Sequence, residues 1–342
     1  MSPEPAAPSE TVTSQERRSI VEVLARLDLT IAGEPIPLAE SVINRNFAVP
    51  TFDGPRFVRF HAKSRSRERL ELNLAASDFA ALQGIPVVAA LIDSKERRLH
   101  VLSNRFWSVY PWVEGVHLQR GAIDPGGAAM LGELHGRLHT VLSPFSDSRL
   151  RSDTNGSVWD AAQSLDNLGR VDDLIRYSPS PGAAQLRLQD QVREVMEVID
   201  SPLSRPATDF ATVHRAVCHG DFHERNVILG AAGDLAALVD WDMAALLPPV
   251  FEVLRAASFM HLLGPGLLEA YMEGYRRQAQ LTQCDEGVEM WWQSQLHNTW
   301  VYTARFIEGN RAAGQFLDEH FAMITAFKDP SFRVEIAARL RG

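Results

Sequence analysis

Residues 218–229 read CHGDFHERNVIL and place His219, His223, Asp221, Glu224, Arg225 and Asn226 within twelve positions. A second apolar run, LAALVDWDMA, follows AAGD at 231–234 and carries Asp240 and Asp242. Two apolar runs flanking a turn signal predict a hairpin, which would bring Asp221, Asn226 and Asp240 together. One amide and two carboxylates offer hard oxygen ligands suited to Mg²⁺, with a carboxylate to spare for a proton. That set suits phosphoryl transfer. The same residue types also cap turns, so Asp221 and Asn226 taken alone fit a plain loop equally well. His219 and His223 stand four apart, but HGDFH lacks the glutamate of H-E-x-x-H, Gly220 weakens a helix there, and no third histidine follows at ligand spacing. A zinc hydrolase is the weaker reading.

The chain that must position these residues has 342 amino acids, 45% of them hydrophobic, enough for about two domains and a large core. Its 34 basic and 43 acidic residues give a net charge of −9, so it lacks the basic footprint of a nucleic-acid binder. An anionic ligand must then be met by local cations. Two cysteines, Cys218 and Cys284, are too few for a disulfide framework, and the first thirty residues lack the apolar stretch of a secretory signal. A cytoplasmic protein is expected. Crossing a bilayer takes roughly 20 apolar residues, and the longest such run, 250–268, is broken by Glu252, Arg255, His261, Gly264 and Pro265. No membrane partner is expected.

Along the chain, 1–15 is rich in Pro, Ser and Thr and reads as a flexible leader before the helical pattern RRSIVEVLARLDL. SVINRNFAV and RFVRFH flank PTFDGP, whose Asp53-Gly54 signals a hairpin. SRSRERLELNLAASDFAALQ sets Leu70, Leu74, Phe79 and Leu82 near helical spacing. Strands are expected at VVAALID and within RLHVLSNRFWSVYPWV, the latter an edge strand ending at Pro111. Beyond Gly115 the texture turns helical, from GGAAMLGELHGRLHTVL through AAQLRLQDQVREVMEVID to FLDEHFAMITAF, with Trp291, Trp292 and Trp300 near helical spacing and most of these aromatics read as core, a substrate wall being the weaker reading.

HGDFHERN followed by LVDWD resembles the H-G-D-x-x-x-x-N and I-D-x-x motifs of the aminoglycoside phosphotransferase and choline kinase-like family. FVRF, SRSRERLELNLAASDFAALQGIPV, WSVYPWVEG, LGELHGRLH and EGYRRQAQL fall where that family has similar segments, so the resemblance runs from residue 38 to residue 310. It implies an α+β, bilobal protein kinase-like fold, with an N-terminal antiparallel-sheet lobe and a larger helical C-terminal lobe. The boundaries expected are a leader at 1–15, a nucleotide-binding lobe at 16–108, a hinge linker at 109–117 and a helical catalytic and substrate lobe at 118–342.

The resemblance also implies roles. Asp221 matches the catalytic-loop aspartate that accepts the proton of a substrate hydroxyl, Asn226 the metal-binding asparagine and Asp240 the aspartate that holds Mg²⁺. His219 matches a histidine that braces the loop. Asp242 is open between a second metal contact and a structural bond, and Glu252, in LLPPVFEVLRA, is expected to brace the catalytic loop through its arginine or backbone neighbours. Arg59 stands at the phosphate-binding lysine position, a change that keeps charge while altering geometry. Asn73 falls where the carboxylate partner of that cation is expected; Glu68 and Glu71 lie on another helical face, with 73 roughly 160° from 71. The nucleotide-covering hairpin, SVINRNFAV, has no glycine and would rely on backbone amides of Asn44 or Asn46. Tyr110, Trp112 and Val113 match the linker that meets the adenine edge.

These roles amount to a kinase that transfers the γ-phosphoryl group of ATP, or GTP, with Mg²⁺, to a small-molecule hydroxyl on an amino alcohol, amino acid, sugar or aminoglycoside-type antibiotic. GYRRQAQL resembles the homoserine kinase-like branch of the family, which tilts the acceptor toward an amino alcohol or amino acid, and Glu252, Glu273, Glu286, Glu289 and Glu308 could meet a cationic one. The protein is expected to be a monomer or a homodimer. A nucleotide-binding pseudokinase is the alternative, motivated by Asn73 and the glycine-free loop.

Overall fold

The computed structural model describes residues 11–38, 44–152, 160–204, 212–308 and 311–342. The chain forms two compact units, one of Met1–Gln119, Pro144–Leu150 and His219–Ala244, the other of Arg120–Ser143, Arg151–Cys218 and Ala245–Gly342. The expected 1–15 leader falls mostly outside the described residues; its end already belongs to α1 (Ser14–Ala25), where Thr13 and Glu16 form a capping box.

The first unit is built on an antiparallel sheet of β1 (Ile36–Leu38), β2 (Arg45–Val49), β3 (Arg56–Phe60), β4 (His100–Leu102) and β5 (Arg105–Pro111), in the order β1-β2-β3-β5-β4. The Asp53-Gly54 signal does mark the β2–β3 turn, closed by the Gly54 amide on the Thr51 carbonyl. Ser103 and Asn104, both at positive φ, turn β4 into β5; two left-handed residues match the twist of a tight hairpin. Beneath the sheet, Ile20, Val23 and Leu24 of α1 pack with Phe47, Val49, Val58, Trp107 and Val109, all at most 1% exposed. Side chains of this size each contribute about 1.5–3 kcal/mol when fully buried.

β4 covers β5 only at Arg105–Trp107, so among the described residues Ser108–Pro111 has β3 as its only strand partner and the edge character expected of it. Two expectations change here. VVAALID forms no strand: Val87 makes one bridge to Leu238, and the Asp93 carboxylate accepts the amides of Lys95 and Arg97, turning the chain away. Asn46 pairs with Leu38 on one side and Arg59 on the other, so it lies inside the sheet. Residues 41–43 of SVINRNFAV lie outside the described residues.

α2 (Arg67–Leu82), capped by Ser66, buries Leu70, Leu72, Asn73, Ala76, Ser77 and Ala80. Leu82, its last residue, is 83% exposed, so the apolar spacing read through it overshoots the buried face. A small sheet of β6 (Val116–His117), β8 (Val227–Leu229) and β9 (Leu235–Leu238) completes this unit. Pairing of β6 with β8, and the Leu238 amide bonded to the Pro86 carbonyl, draw 219–244 into the sheet-bearing unit. A linear division at residue 118 does not describe that packing.

The second unit holds α3 (Pro125–Leu142), α4 (Ala161–Arg176), α5 (Ala183–Asp200), α6 (Pro249–Phe259), α7 (Leu267–Arg276), α8 (Cys284–Ile307), α9 (Arg311–Phe327) and α10 (Pro330–Arg341). Two short strands, β7 (Ala216–Cys218) and β10 (Ala245–Leu247), pair within it. α3 and α7 meet backbone to backbone: a Cβ on Gly132 would lie 1.9 Å from the Tyr271 carbonyl oxygen, and one on Gly274 would lie 1.9 Å from that of Ala129. Trp291 and Trp292 are core residues at 1% and 0% exposure. No helix among the described residues is long and apolar enough to cross a membrane.

Candidate active site

The loop after Cys218 is shaped by Gly220, whose φ is +79° and whose Cβ, if present, would sit 1.9 Å from the Met243 carbonyl oxygen. Only glycine tolerates both. His219, fully buried, donates from Nε2 to the Val239 carbonyl at 3.1 Å and accepts the Asp221 amide on Nδ1 at 3.3 Å. One neutral ring thus ties the start of the loop to the segment carrying Asp240.

Glu224–Asn226 form a single 3₁₀ turn. Asn226 donates from Nδ2 to the Asp221 carbonyl at 2.7 Å, while its own carbonyl accepts the Val239 amide at 2.9 Å. The hairpin of β8 and β9 therefore does bring Asn226 beside Asp221 and next to the residue before Asp240. His223 is a neighbour the sequence reading left without a role. Its Nδ1 accepts the Arg225 amide, and its Nε2 lies 3.6 Å from the Asp221 carboxylate. The same Nε2 lies 3.2 Å from Asn226 Nδ2, so His223 touches both residues of the motif.

Asp240 adopts φ 63° and ψ 63°, a left-handed conformation that aspartate tolerates better than most residues. Its Oδ1 accepts from Arg59 Nη1 at 2.8 Å. Arg59 Nη1 also lies 3.1 Å from Asp242 Oδ1, and Nε donates to Asn46 Oδ1 at 3.3 Å. Burial pulls the Arg59 pKa down, but Asp240 and Asp242 more than offset it and keep the guanidinium charged. Asp242 is itself buried, which pushes its carboxyl up; Arg59, His61 and Asn44 outweigh that and hold it below the usual range. His61, with its pKa lowered to about 4 chiefly by burial, is neutral at pH 7. Asn73 faces neither cation nor metal: its Nδ2 donates to the Asp242 backbone carbonyl at 2.8 Å. Glu71 pairs with Arg67 and Arg149, while Glu68 is fully exposed.

The donor set fits a hard divalent cation. Asn226 has its amide nitrogen pinned, and its Oδ1 makes no hydrogen bond among the described residues. Asp240 keeps Oδ2 similarly unengaged on a side chain 35% exposed. Tyr110 packs edge-on against Phe57 and accepts from Ser108 Oγ; burial pushes its phenol up, so it stays protonated. The Trp112 amide donates to the Pro55 carbonyl at 3.4 Å, whereas Val113 makes no backbone bond among the described residues.

Glu252 belongs to the other unit. The carboxylate is fully buried and accepts from His139 Nε2 at 2.8 Å and His135 Nε2 at 3.3 Å. Each Nε2 donates to the carboxylate, and each Nδ1 is hydrogen-bonded to a phenol, His135 to Tyr271 and His139 to Tyr275. Burial pushes Glu252 up, but the histidine bonds hold it well below the carboxylate range. The i and i+4 histidines on α3 present both rings to one oxygen. Glu273 pairs with Arg277 and Glu289 with Arg333, so these acids also have local partners.

Comparison with known proteins places this geometry. The Phosphotransferase enzyme family is matched over residues 35–286. No curated protein matches the chain in sequence. Among solved structures, a spectinomycin phosphotransferase in complex with ADP and spectinomycin is similar at 15% identity and a TM-score of 0.66, over 94% of this chain and 97% of that one. A microcompartment-associated aminopropanol kinase is similar at 14% identity and a TM-score of 0.60, over 91% and 97%. An amicoumacin kinase in complex with AMP-PNP, Ca²⁺ and Ami gives 14% and 0.58, over 94% and 93%. At these identities the likeness is one of fold. The chain belongs to the phosphotransferase enzyme family and has its protein kinase-like fold.

Proposed function

We propose that the protein transfers the γ-phosphoryl group of ATP to a hydroxyl of a small molecule, with Asp221 as the group that orients and accepts the hydroxyl proton. The observation that carries this is the convergence of Asp221, Asn226, Asp240 and Arg59 in one compact unit. Asp221 is held by the His219 ring through its amide and by Asn226 through its carbonyl. Asn226 Oδ1 and Asp240 Oδ2 would hold Mg²⁺. That ion, when bound, neutralises charge on the nucleotide phosphates. Arg59 meets a phosphate oxygen, and the backbone around Val113 meets the adenine edge. Acceptors range over amino alcohols, amino acids, sugars and aminoglycoside-type antibiotics, and a cytoplasmic setting supplies the ATP.

A pseudokinase reading starts from Asn73. It loses support because Arg59 still has two carboxylate partners. The reading is tested by incubating the protein with ATP, Mg²⁺ and a panel of hydroxyl compounds, following ADP formation and product mass. A phosphorylated product with matching ADP is expected. Nucleotide binding without a product from any member of a broad panel would favour the pseudokinase.

A further inference from the structure

We propose that Asp242 is the positioning residue for Arg59, taking the part of the absent carboxylate on α2, and is not a metal ligand. The proposal rests on the reading of Arg59 as the phosphate-binding cation.

Both oxygens of Asp242 are already committed. Oδ1 lies 3.1 Å from Arg59 Nη1, while Oδ2 accepts from Asn44 Nδ2 at 2.5 Å and lies 3.8 Å from His61 Nδ1. Its side chain is 10% exposed against 35% for Asp240, so the two acids of the DWD segment differ in what they can offer a cation. Asp240 keeps one oxygen clear of protein donors, whereas both oxygens of Asp242 already face them. Burial makes neutral His61 a poor competitor for the Asp242 charge, which leaves Arg59 as its ionic partner.

The guanidinium is then fixed on two of its three nitrogens. Nε is held by Asn46 and Nη1 by Asp240 and Asp242, and the Arg59 side chain also stacks over Phe57 at 5.3 Å. Nη2 makes no hydrogen bond among the described residues and is the arm left for a phosphate oxygen. Were Asp240 engaged by a cation, Asp242 would be the carboxylate still holding Arg59.

Asn73 belongs to the same device. It is 3% exposed, and its Nδ2 bonds the Asp242 main-chain carbonyl across from α2. A glutamate or aspartate at this position would aim negative charge at a carbonyl oxygen, an unfavourable contact in a buried setting. The helix therefore supplies a donor that fixes the backbone of Asp242, and Asp242 supplies the charge. The two departures, Asn73 and the acid at 242, compensate each other.

The test is direct binding of a non-hydrolysable ATP analogue by calorimetry, in EDTA and again with saturating Mg²⁺, beside the Mg²⁺ dependence of ATP consumption. Asp242→Asn is expected to weaken analogue binding about tenfold in both conditions, the equivalent of one charged hydrogen bond, with the Mg²⁺ midpoint unchanged. A raised Mg²⁺ midpoint with unchanged binding in EDTA would make Asp242 a metal ligand and overturn the proposal. Asn44→Ala, which loosens Asp242 without removing its charge, is expected to weaken binding in the same direction by a smaller factor. It serves if Asp242→Asn does not fold, and unchanged binding there overturns the proposal. Arg59→Ala separates this inference from the reading beneath it. Unchanged binding in Arg59→Ala removes both, whereas a loss there with none in Asp242→Asn removes the proposal alone.

Discussion

At the scale of single residues, the polar crowd in CHGDFHERN divides by what each group touches. His219 is spent on backbone bonds, Asn226 fixes the Asp221 carbonyl, and the Asp221 carboxylate has the His223 ring beside it. Asp221→Ala should leave folding intact and lower kcat by ~10²–10⁴, the usual worth of a positioned proton acceptor, with nucleotide affinity little changed. Steady-state kinetics beside calorimetric nucleotide binding checks it, and loss of binding with unchanged kcat would contradict it. The residues of this motif were legible because their order and spacing are local. Asp242 was not: its role depends on Asn44, Arg59 and Asn73, which lie 169 to 198 positions away in sequence, and no spacing rule connects them. His223 could have been found from the motif itself, since Asn226 three residues on turns the chain back toward it.

At the scale of elements, two connections carry most of the constraint. The first is the tight turn at Gly220, packed on Met243. Gly220→Ala combines a left-handed φ with a backbone clash, and should cost at least about 1–3 kcal/mol of stability, together with most of the activity. Chemical denaturation and kinetics measure both, and an unchanged unfolding midpoint would contradict the assignment. The second is the buried bond network of α3, α6 and α7 around Glu252. Glu252→Ala leaves two imidazole N–H groups without their acceptor and should destabilise by about 3–5 kcal/mol, readable from urea melts. Amphipathic spacing made α3, α5, α7 and the aromatic face of α8 visible in sequence, and Asp53-Gly54 made one hairpin visible. VVAALID misled because β-branched and apolar content describes an extended chain, whereas a strand also needs a continuous ladder. Here the contacts stay single, Val87 bridged to Leu238 and the Leu91 amide on the Val109 carbonyl, before Asp93 turns the chain.

At the scale of the whole molecule, buried neutral histidines make stability depend on pH. His61 and His320 both have pKa values lowered to about 4 from an ordinary 6.5, chiefly by burial. Between those values the unfolded chain binds protons that the folded chain refuses, so stability is full above pH 6.5 and falls as pH drops toward 4. Each group accounts for about 3 kcal/mol across that window. Depressed Glu252 and Asp242 extend the loss below the ordinary carboxylate range. Urea denaturation at stepped pH should show the slope, and His320→Gln should flatten it by its own share. An equal slope in that variant would contradict the assignment. Fold class was legible in the order of a strand-rich third followed by helices. Assignment of 219–244 to the sheet-bearing unit was not, because it depends on β6 pairing with β8 across more than a hundred residues.

The central claim is that one constellation, Asp221 with Asn226, Asp240 and Arg59, performs phosphoryl transfer to a small-molecule hydroxyl. Its most direct test is a single-turnover experiment with ATP labelled on the γ-phosphoryl group, Mg²⁺ and an acceptor from the panel, comparing the native protein with Asp221→Ala. Label should pass to the acceptor with the native protein and stay on ATP with the variant, although both bind the nucleotide. Label transfer at equal rates by the two proteins would contradict the account.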